Sequence, residues 1–110
     1  MTPKIQKIIE QLEQVKAKDI KVFNLKDISP FYDYFIVATA TERQSNAAIN
    51  YIKKALDESD IKHSEGKGGS WLLMDCYDVI VHIFDEESRQ FYQFDQRLME
   101  YVVDDISAII

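Results

Sequence analysis

The sequence is poor in cysteine, glycine, proline and long apolar runs, and each shortage excludes a class of protein. One cysteine in 110 residues cannot form an internal disulfide, which is typical of proteins in a reducing compartment. Three glycines and two prolines leave little room for long loops. No apolar run approaches the roughly 20 residues of a membrane-spanning helix. The N-terminal residues begin an amphipathic pattern rather than an apolar signal core, so we expect a cytoplasmic protein.

Basic residues are also scarce. Thirteen Lys and Arg stand against nineteen Asp and Glu, which gives a net charge of −6. Proteins that bind nucleic acid usually present a basic face, because neutralising phosphates supplies much of their affinity. We therefore expect no direct nucleic-acid recognition, and a basic protein surface as the partner. Hydrophobic residues, in contrast, are abundant. They make up 46% of the chain, enough for the core of a single domain over residues 1–110.

Hydrophobic spacing predicts an α/β domain with a mixed β-sheet and helices on its faces. The capping-box pattern from Thr41 to Gln44 marks the start of one helix. The apolar run over residues 34–40 is typical of a central strand covered on both faces. The predicted order is α-β-β-α-β-β-α-α, with helices at 3–18, 41–59, 85–92 and 95–108 and strands at 20–25, 34–40, 70–75 and 78–84. Residues 99–110 form a C-terminal helical extension, and the last helix is predicted to carry one apolar face made of Leu98, Val102, Ile106 and Ile109.

The last two strands are predicted to form a tight hairpin with Cys76-Tyr77 as its turn. Asp75 and Asp78 flank this turn and are expected to face each other across the hairpin end. With Gly68-Gly69-Ser70 near by, they favour one alternative function, a nucleotide- or metal-dependent transferase whose paired carboxylates share an ion. Against it, the sequence places no basic residue near by except Lys67, and turn carboxylates more commonly bond to local N–H groups.

Metal or thiol chemistry has few residues to use. Two histidines, His63 and His82, and Cys76 lie on separate predicted elements, whereas a metal site needs three or four ligands. Cys76 is predicted in an exposed turn without an activating cation. His82 alternates with Ile80 and Phe84 along its strand, which predicts a buried or half-buried histidine. We expect no catalytic residue, no metal and no cofactor.

Helix-surface charges are assigned no functional role. Arg89 and Arg97 are predicted on exposed helix positions, where they could pair with Glu86 or Asp95. Such exposed pairs contribute little to stability.

The candidate partner-binding residues are Trp71, Asp75, Tyr77, Asp78 and His82. Trp71 follows the glycine-rich segment and is either an aromatic at the edge of the core or an interface anchor, because Trp and Tyr dominate binding hot spots. Tyr77 is placed in a turn, where a large ring has no core to fill. Together these residues predict an aromatic and acidic patch suited to a surface rich in Lys and Arg.

Several sequence blocks resemble one known family, the Iojap-like ribosomal silencing factors. The resemblance covers about residues 4–98 and includes a specific block in which Trp71 precedes the Asp75–His82 segment. The blocks are Lys18–Ile20, Asp33–Thr41 followed by Arg43, Glu65-Gly66, Trp71–Asp75, Asp78–Phe84, Glu87–Tyr92 and Phe94–Leu98.

This resemblance implies a bacterial, non-enzymatic factor that binds the large ribosomal subunit through its ribosomal protein number fourteen. Binding there blocks subunit joining and represses translation under nutrient limitation. The implied fold is similar to nucleotidyltransferases without their catalytic residues. Homodimers are implied as well, with the apolar face of residues 98–110 as one candidate surface. The chain departs from the family pattern at Tyr77 and Ala40, where glycine is usual, and at Cys76 and Met99.

Overall fold

The computed structural model, which describes residues 3–66 and 70–108, contains a five-stranded mixed sheet with helices on its faces. The order of the strands across the sheet is β1-β2-β5-β4-β3. β2 and β5 run parallel, and the other neighbouring pairs are antiparallel. The predicted fold class is therefore confirmed. The strands are β1 Lys18–Asn24, β2 Tyr34–Thr39, β3 His63–Glu65, β4 Trp71–Cys76 and β5 Val79–Phe84.

The described residues also form four α-helices and three short 3₁₀ segments. The predicted capping box opens α2: Thr41 Oγ1 accepts from the Gln44 N–H at 3.2 Å, and Gln44 Oε1 accepts from the Thr41 N–H at 2.9 Å. Within residues 3–66 and 70–108, no helix is long and apolar enough to cross a membrane. The helices are α1 Pro3–Gln14, α2 Glu42–Ala55, α3 Glu86–Tyr92 and α4 Phe94–Arg97, and the 3₁₀ segments are Glu58–Asp60, Met99–Tyr101 and Ile106–Ala108.

The sheet buries apolar side chains on both faces. The main core lies between one face and the helices α1 and α2, with Ile8, Ile52 and Val81 fully buried in it. A second, smaller cluster lies on the opposite face, where Phe23 and Phe84 pack with side chains from α3, α4 and the following segment. All six residues of β5 are buried, since this strand is central and covered on both sides.

Two predicted helices end early. α1 stops at Gln14 rather than at residue 18, because Lys16 adopts a φ of 62° and reverses the chain into β1. α2 stops at Ala55 rather than near residue 59, and the last predicted residues form a separate 3₁₀ turn. The prediction also missed β3. Its three residues are all exposed, so its sequence lacks the alternation of apolar and polar residues that identifies a strand.

The predicted continuous helix over 95–108 is wrong. Beyond α4 the chain crosses the open edge of β1, where Val102 forms an antiparallel bridge with Phe23. Val102 packs on the second cluster, whereas Ile106 packs on the main core on the other side of the sheet. The edge of β1 offers hydrogen-bond partners to the backbone of this segment, and the predicted helix would leave those partners unused. Val102 and Ile106 therefore do not lie on one exposed helix face. Ile109 lies outside the described residues.

Candidate partner-binding surface

The β4–β5 hairpin turns at Tyr77-Asp78, one residue later than predicted. Cys76 is the last residue of β4 and pairs with Val79, which closes a two-residue loop. Tyr77 has a φ of 68°, in the left-handed region that bulky side chains rarely adopt. Its N–H donates to Asp75 Oδ1 at 2.9 Å, which helps to hold the turn. The Tyr77 side chain is 51% exposed, so the strained position presents an aromatic ring to solvent.

Cys76 is fully buried, which contradicts its predicted place in an exposed turn. It faces the main core because it alternates with Met74 along β4. Burial raises the pKa of its thiol to about 12. Since the thiolate is the nucleophile, a thiol with this pKa is inert at neutral pH. Cys76 is a core residue.

Asp75 and Asp78 do not face each other as predicted. Asp75 is 8% exposed and uses one oxygen for the turn N–H. Asp78 Oδ1 pairs instead with Lys4 Nζ of α1 at 2.7 Å. Lys4 also donates to the Cys76 carbonyl at 3.0 Å, so this cation, distant in the sequence, fixes α1 to the hairpin. The two carboxylates have separate tasks and do not form a shared ion site.

Other residues weighed for the transferase alternative fall outside the described part of the chain. They are Gly68 and Gly69, together with Lys67, the one basic residue expected near by. His63 lies on the exposed edge strand β3, where its Nε2 is 3.0 Å from Glu65 Oε1. Among the described residues, no group of three or more His, Cys, Asp and Glu side chains could hold a metal ion.

Trp71 begins β4 and packs at the edge of the second cluster. Its ring centroid lies 4.5 Å from that of Tyr92, 5.1 Å from that of Phe84 and 5.9 Å from that of Phe94. Its indole Nε1–H donates to His82 Nδ1 at 3.1 Å. The side chain is half-buried, which leaves part of the ring accessible. We call these five residues, Trp71, His82, Phe84, Tyr92 and Phe94, the Trp71 cluster.

His82 is buried, as its alternation predicts, with 3% of its surface exposed. Burial lowers its pKa to about 4, so the ring is neutral at physiological pH. Because Nδ1 accepts from Trp71, the proton of the neutral ring is placed on Nε2. That atom is buried and has no hydrogen-bond partner among the described residues. The ring stands edge-on to Phe35 at 4.6 Å and to Phe94 at 5.0 Å, surrounded by aromatic carbon.

The five candidate residues fall into two groups rather than one patch. Trp71 and His82 belong to the Trp71 cluster, and the other three line a shallow groove of about 300 Å³ beside the hairpin turn. Trp71 begins β4 and Tyr77 directly follows it, so the two lie six residues apart, about 20 Å along an extended strand. Trp71 and Asp75 share one face of the sheet, so one partner could contact both groups. We call the six residues Phe31, Tyr32, Lys62, Asp75, Tyr77 and Asp78 the hairpin groove.

Arg89 was predicted on an exposed position but is 8% exposed and makes four hydrogen bonds. Its guanidinium donates to both Asp95 oxygens at 2.7 and 2.8 Å, to Thr39 Oγ1 at 2.9 Å and to the Asp19 carbonyl at 2.9 Å. The predicted pairing with Asp95 is confirmed, and this pairing lowers the pKa of the Asp95 carboxyl. Arg97 is exposed, as predicted. Arg89 therefore fastens α3 and α4, which carry Tyr92 and Phe94 of the Trp71 cluster, to the sheet.

Comparison with known proteins decides the family. Residues 1–103 match the family model described as Ribosomal silencing factor during starvation. The chain belongs to the ribosomal silencing factor family. The match extends five residues past the predicted limit at residue 98 and so includes Val102 at the β1 edge.

Relatives of this ribosomal silencing factor occur in bacteria and in chloroplasts. The chain is 36% identical over 91 residues to Ribosomal silencing factor RsfS of Chromobacterium violaceum, covering 79% of this chain and 75% of that protein. It is 36% identical over 84 residues to the chloroplastic protein Iojap of Arabidopsis thaliana, covering 74% of this chain and 35% of that longer protein. An X-ray structure of a Chromobacterium violaceum protein superposes with a TM-score of 0.81 at 32% identity, covering 87% of this chain and 83% of that one. The Iojap-like resemblance is thus confirmed, together with the fold.

Proposed function

We propose that this ribosomal silencing factor binds the large ribosomal subunit in the cytoplasm through ribosomal protein number fourteen. Bound there, it prevents the small subunit from joining and so represses translation under nutrient limitation. The observation that carries the proposal is the family match over residues 1–103. The net charge of −6 supports a basic protein surface as the partner.

The proposed action is steric exclusion and requires neither turnover nor a cofactor. A dissociation constant between micromolar and nanomolar corresponds to about 8 to 12 kcal/mol of binding free energy, which one modest interface can supply. The burial of Cys76 and His82 supports a role that needs no reactive side chain.

We assign the contact to the exposed part of Trp71 and to Tyr77 as aromatic anchors, with Asp75 and Asp78 beside them. His82 acts indirectly, because a side chain with 3% exposure offers a partner almost no surface. Its role is to accept the indole hydrogen bond and hold the Trp71 ring against the cluster. A ring held in place before binding loses less conformational freedom when the partner arrives.

Co-sedimentation with purified large ribosomal subunits tests this assignment. Tyr77→Ala and Tyr77→Gly both remove the ring, while only glycine suits the positive φ of the turn. If Tyr77 is an anchor, both variants should bind about tenfold or more weakly, the loss expected at a hot spot. Tyr51→Ala is the matched control, since Tyr51 is an exposed tyrosine on α2, which packs on the opposite face of the sheet.

Two results would contradict the proposal. Wild-type protein that fails to sediment with large subunits at micromolar concentration would rule out the function. Equal binding by both Tyr77 variants and by wild-type protein would remove Tyr77 from the contact. A thermal shift produced by magnesium and a nucleotide, and abolished by Asp75→Asn, would instead favour the transferase alternative.

We also propose that this protein forms the homodimers that the family resemblance implies. Sedimentation velocity of the protein alone, and of its mixture with large subunits, measures both states. A dimer that persists on the subunit would mean that self-association and ribosome binding use different surfaces.

A further inference from the structure

The hairpin groove presents two exposed aromatic side chains on tightly bonded turns. Phe31 is 77% exposed, and Tyr77 is 51% exposed. Ser29 Oγ accepts from the Phe31 N–H at 3.2 Å and from the Tyr32 N–H at 3.1 Å, which fixes the loop before β2. The Asp33 N–H donates to the Asp78 carbonyl at 2.7 Å and joins this loop to the hairpin. The rings are therefore displayed on a backbone that is already ordered.

Asp75, which also lines the groove, is a carboxylate without a counter-ion among the residues that the structure describes. It is 92% buried, since 8% of its surface is exposed, and within residues 3–66 and 70–108 its side chain bonds to the Tyr77 N–H alone. It forms no ion pair within 4 Å with any residue in the described part of the chain, although Lys62 lies at the groove. Asp78, by contrast, is already paired with Lys4. A nearly buried carboxylate is costly unless a cation compensates it.

A cation that fits between aromatic rings and a carboxylate has a definite chemistry. A guanidinium group stacks on aromatic faces and can bond to a carboxylate with parallel N–H groups. It is also more weakly hydrated than an ammonium group, so it loses less hydration free energy when it enters a groove that holds little water. The net charge of −6 favours the approach of a basic partner.

We propose that the hairpin groove is a docking site for an arginine side chain from the partner protein, with Asp75 as its counter-ion and the Phe31 and Tyr77 rings as its walls. This inference rests on the proposed function, because it names the chemical group that the ribosomal partner inserts. It adds Phe31 to the contact, a residue that the aromatic and acidic patch predicted from the sequence did not include. It also gives Asp75 and Asp78 different roles, binding for the first and attachment of α1 for the second.

The site can be tested without ribosomes by a titration of the full-length ¹⁵N-labelled protein with N-acetyl-arginine amide. The matched probe is N-acetyl-citrulline amide, which has nearly the same shape and no charge. Arginine amide should shift the amide signals of Tyr77 and Asp78 in a saturable way, and citrulline amide should not. Asp75→Asn should abolish the response while keeping an acceptor for the Tyr77 N–H, so the turn is retained. Equal shifts from both probes, or no shifts at the groove, would overturn the proposal.

Co-sedimentation with large subunits gives the second readout. Asp75→Asn and Phe31→Ala should each weaken binding about tenfold, the loss expected for a charge-assisted contact or an aromatic wall. Asp57→Asn is the charge-matched control, because Asp57 is exposed and its side chain makes no capping bond. Phe91→Ala matches Phe31→Ala, since Phe91 is 75% exposed on α3.

The two proposals fail separately. If wild-type protein binds large subunits and Asp75→Asn binds as tightly as Asp57→Asn, the arginine site is wrong and the proposed function stands. If wild-type protein does not bind large subunits, the proposed function is wrong, and the titration with arginine amide decides the groove by itself. A change in oligomeric state on Asp75→Asn, with subunit binding unchanged, would assign the groove to a second copy of the chain and overturn the proposal.

Discussion

Acidification should destabilise this protein through the buried ring of His82. The pKa of His82 is lowered from 6.5 to about 4 by burial, so between these values the unfolded chain binds a proton that the folded chain excludes. Stability is therefore complete above pH 6.5 and falls as the pH drops towards 4. The folded and unfolded pKa values of His82 differ by about 2.5, and at about 1.36 kcal/mol for each pH unit the free energy of unfolding falls by about 3 kcal/mol.

Urea unfolding followed by tryptophan fluorescence measures this loss, because the chain contains one tryptophan and Trp71 contacts His82 directly. The free energy of unfolding should fall by about 3 kcal/mol between pH 7 and pH 4 in wild-type protein. His82→Gln removes the titrating ring and should flatten most of this slope, although it lowers stability at pH 7. His63→Gln removes an exposed histidine and should leave the slope in place. If the slope survives in His82→Gln, the buried ring is not its cause.

Three further predictions concern stability and use urea midpoints at pH 7. Arg89→Lys should lower the free energy of unfolding by about 2 kcal/mol, because lysine cannot reproduce the paired bonds of the guanidinium to Asp95. The loss is not larger because Asp95 is only partly buried, and a loss below about 0.5 kcal/mol would refute the role of Arg89 in fastening the helices to the sheet. Tyr77→Gly should be more stable than Tyr77→Ala by about 1 kcal/mol, since only alanine is strained at positive φ; equal stabilities would contradict this. Trp71→Phe should cost about 1 to 3 kcal/mol by leaving the buried His82 Nδ1 without a donor, and an unchanged midpoint would show that this bond contributes nothing.

The parts of the fold that the sequence predicted are those with a strong local signal. The capping box at Thr41 and the apolar run of β2 each satisfy a rule that involves only neighbouring residues. β3 was missed because its pairing with β4 depends on backbone bonds, while its three side chains are exposed. The C-terminal helix was predicted wrongly because Val102 gains a backbone partner at the β1 edge, which no local pattern reveals.

The candidate site shows the same limit. The alternation of His82 with its neighbours was enough to predict burial, and Trp71 was identified as an aromatic at the edge of the core or an anchor. The ion pair of Asp78 with Lys4 joins residues 74 positions apart, so the sequence offered no signal for it. Arg89 was assigned to an exposed surface because two of its partners, Thr39 and the Asp19 carbonyl, lie 50 and 70 positions away in the sequence.

Subunit joining gives the most direct test of the proposal that this protein keeps the two ribosomal subunits apart. Purified large subunits are incubated with the protein, small subunits are then added, and the mixture is separated on a sucrose gradient. We expect wild-type protein to sediment with the large subunit and to shift joined ribosomes to free subunits, and Tyr77→Ala to do so about tenfold less effectively. Unchanged subunit joining at a protein concentration that saturates the large subunit would contradict the proposal.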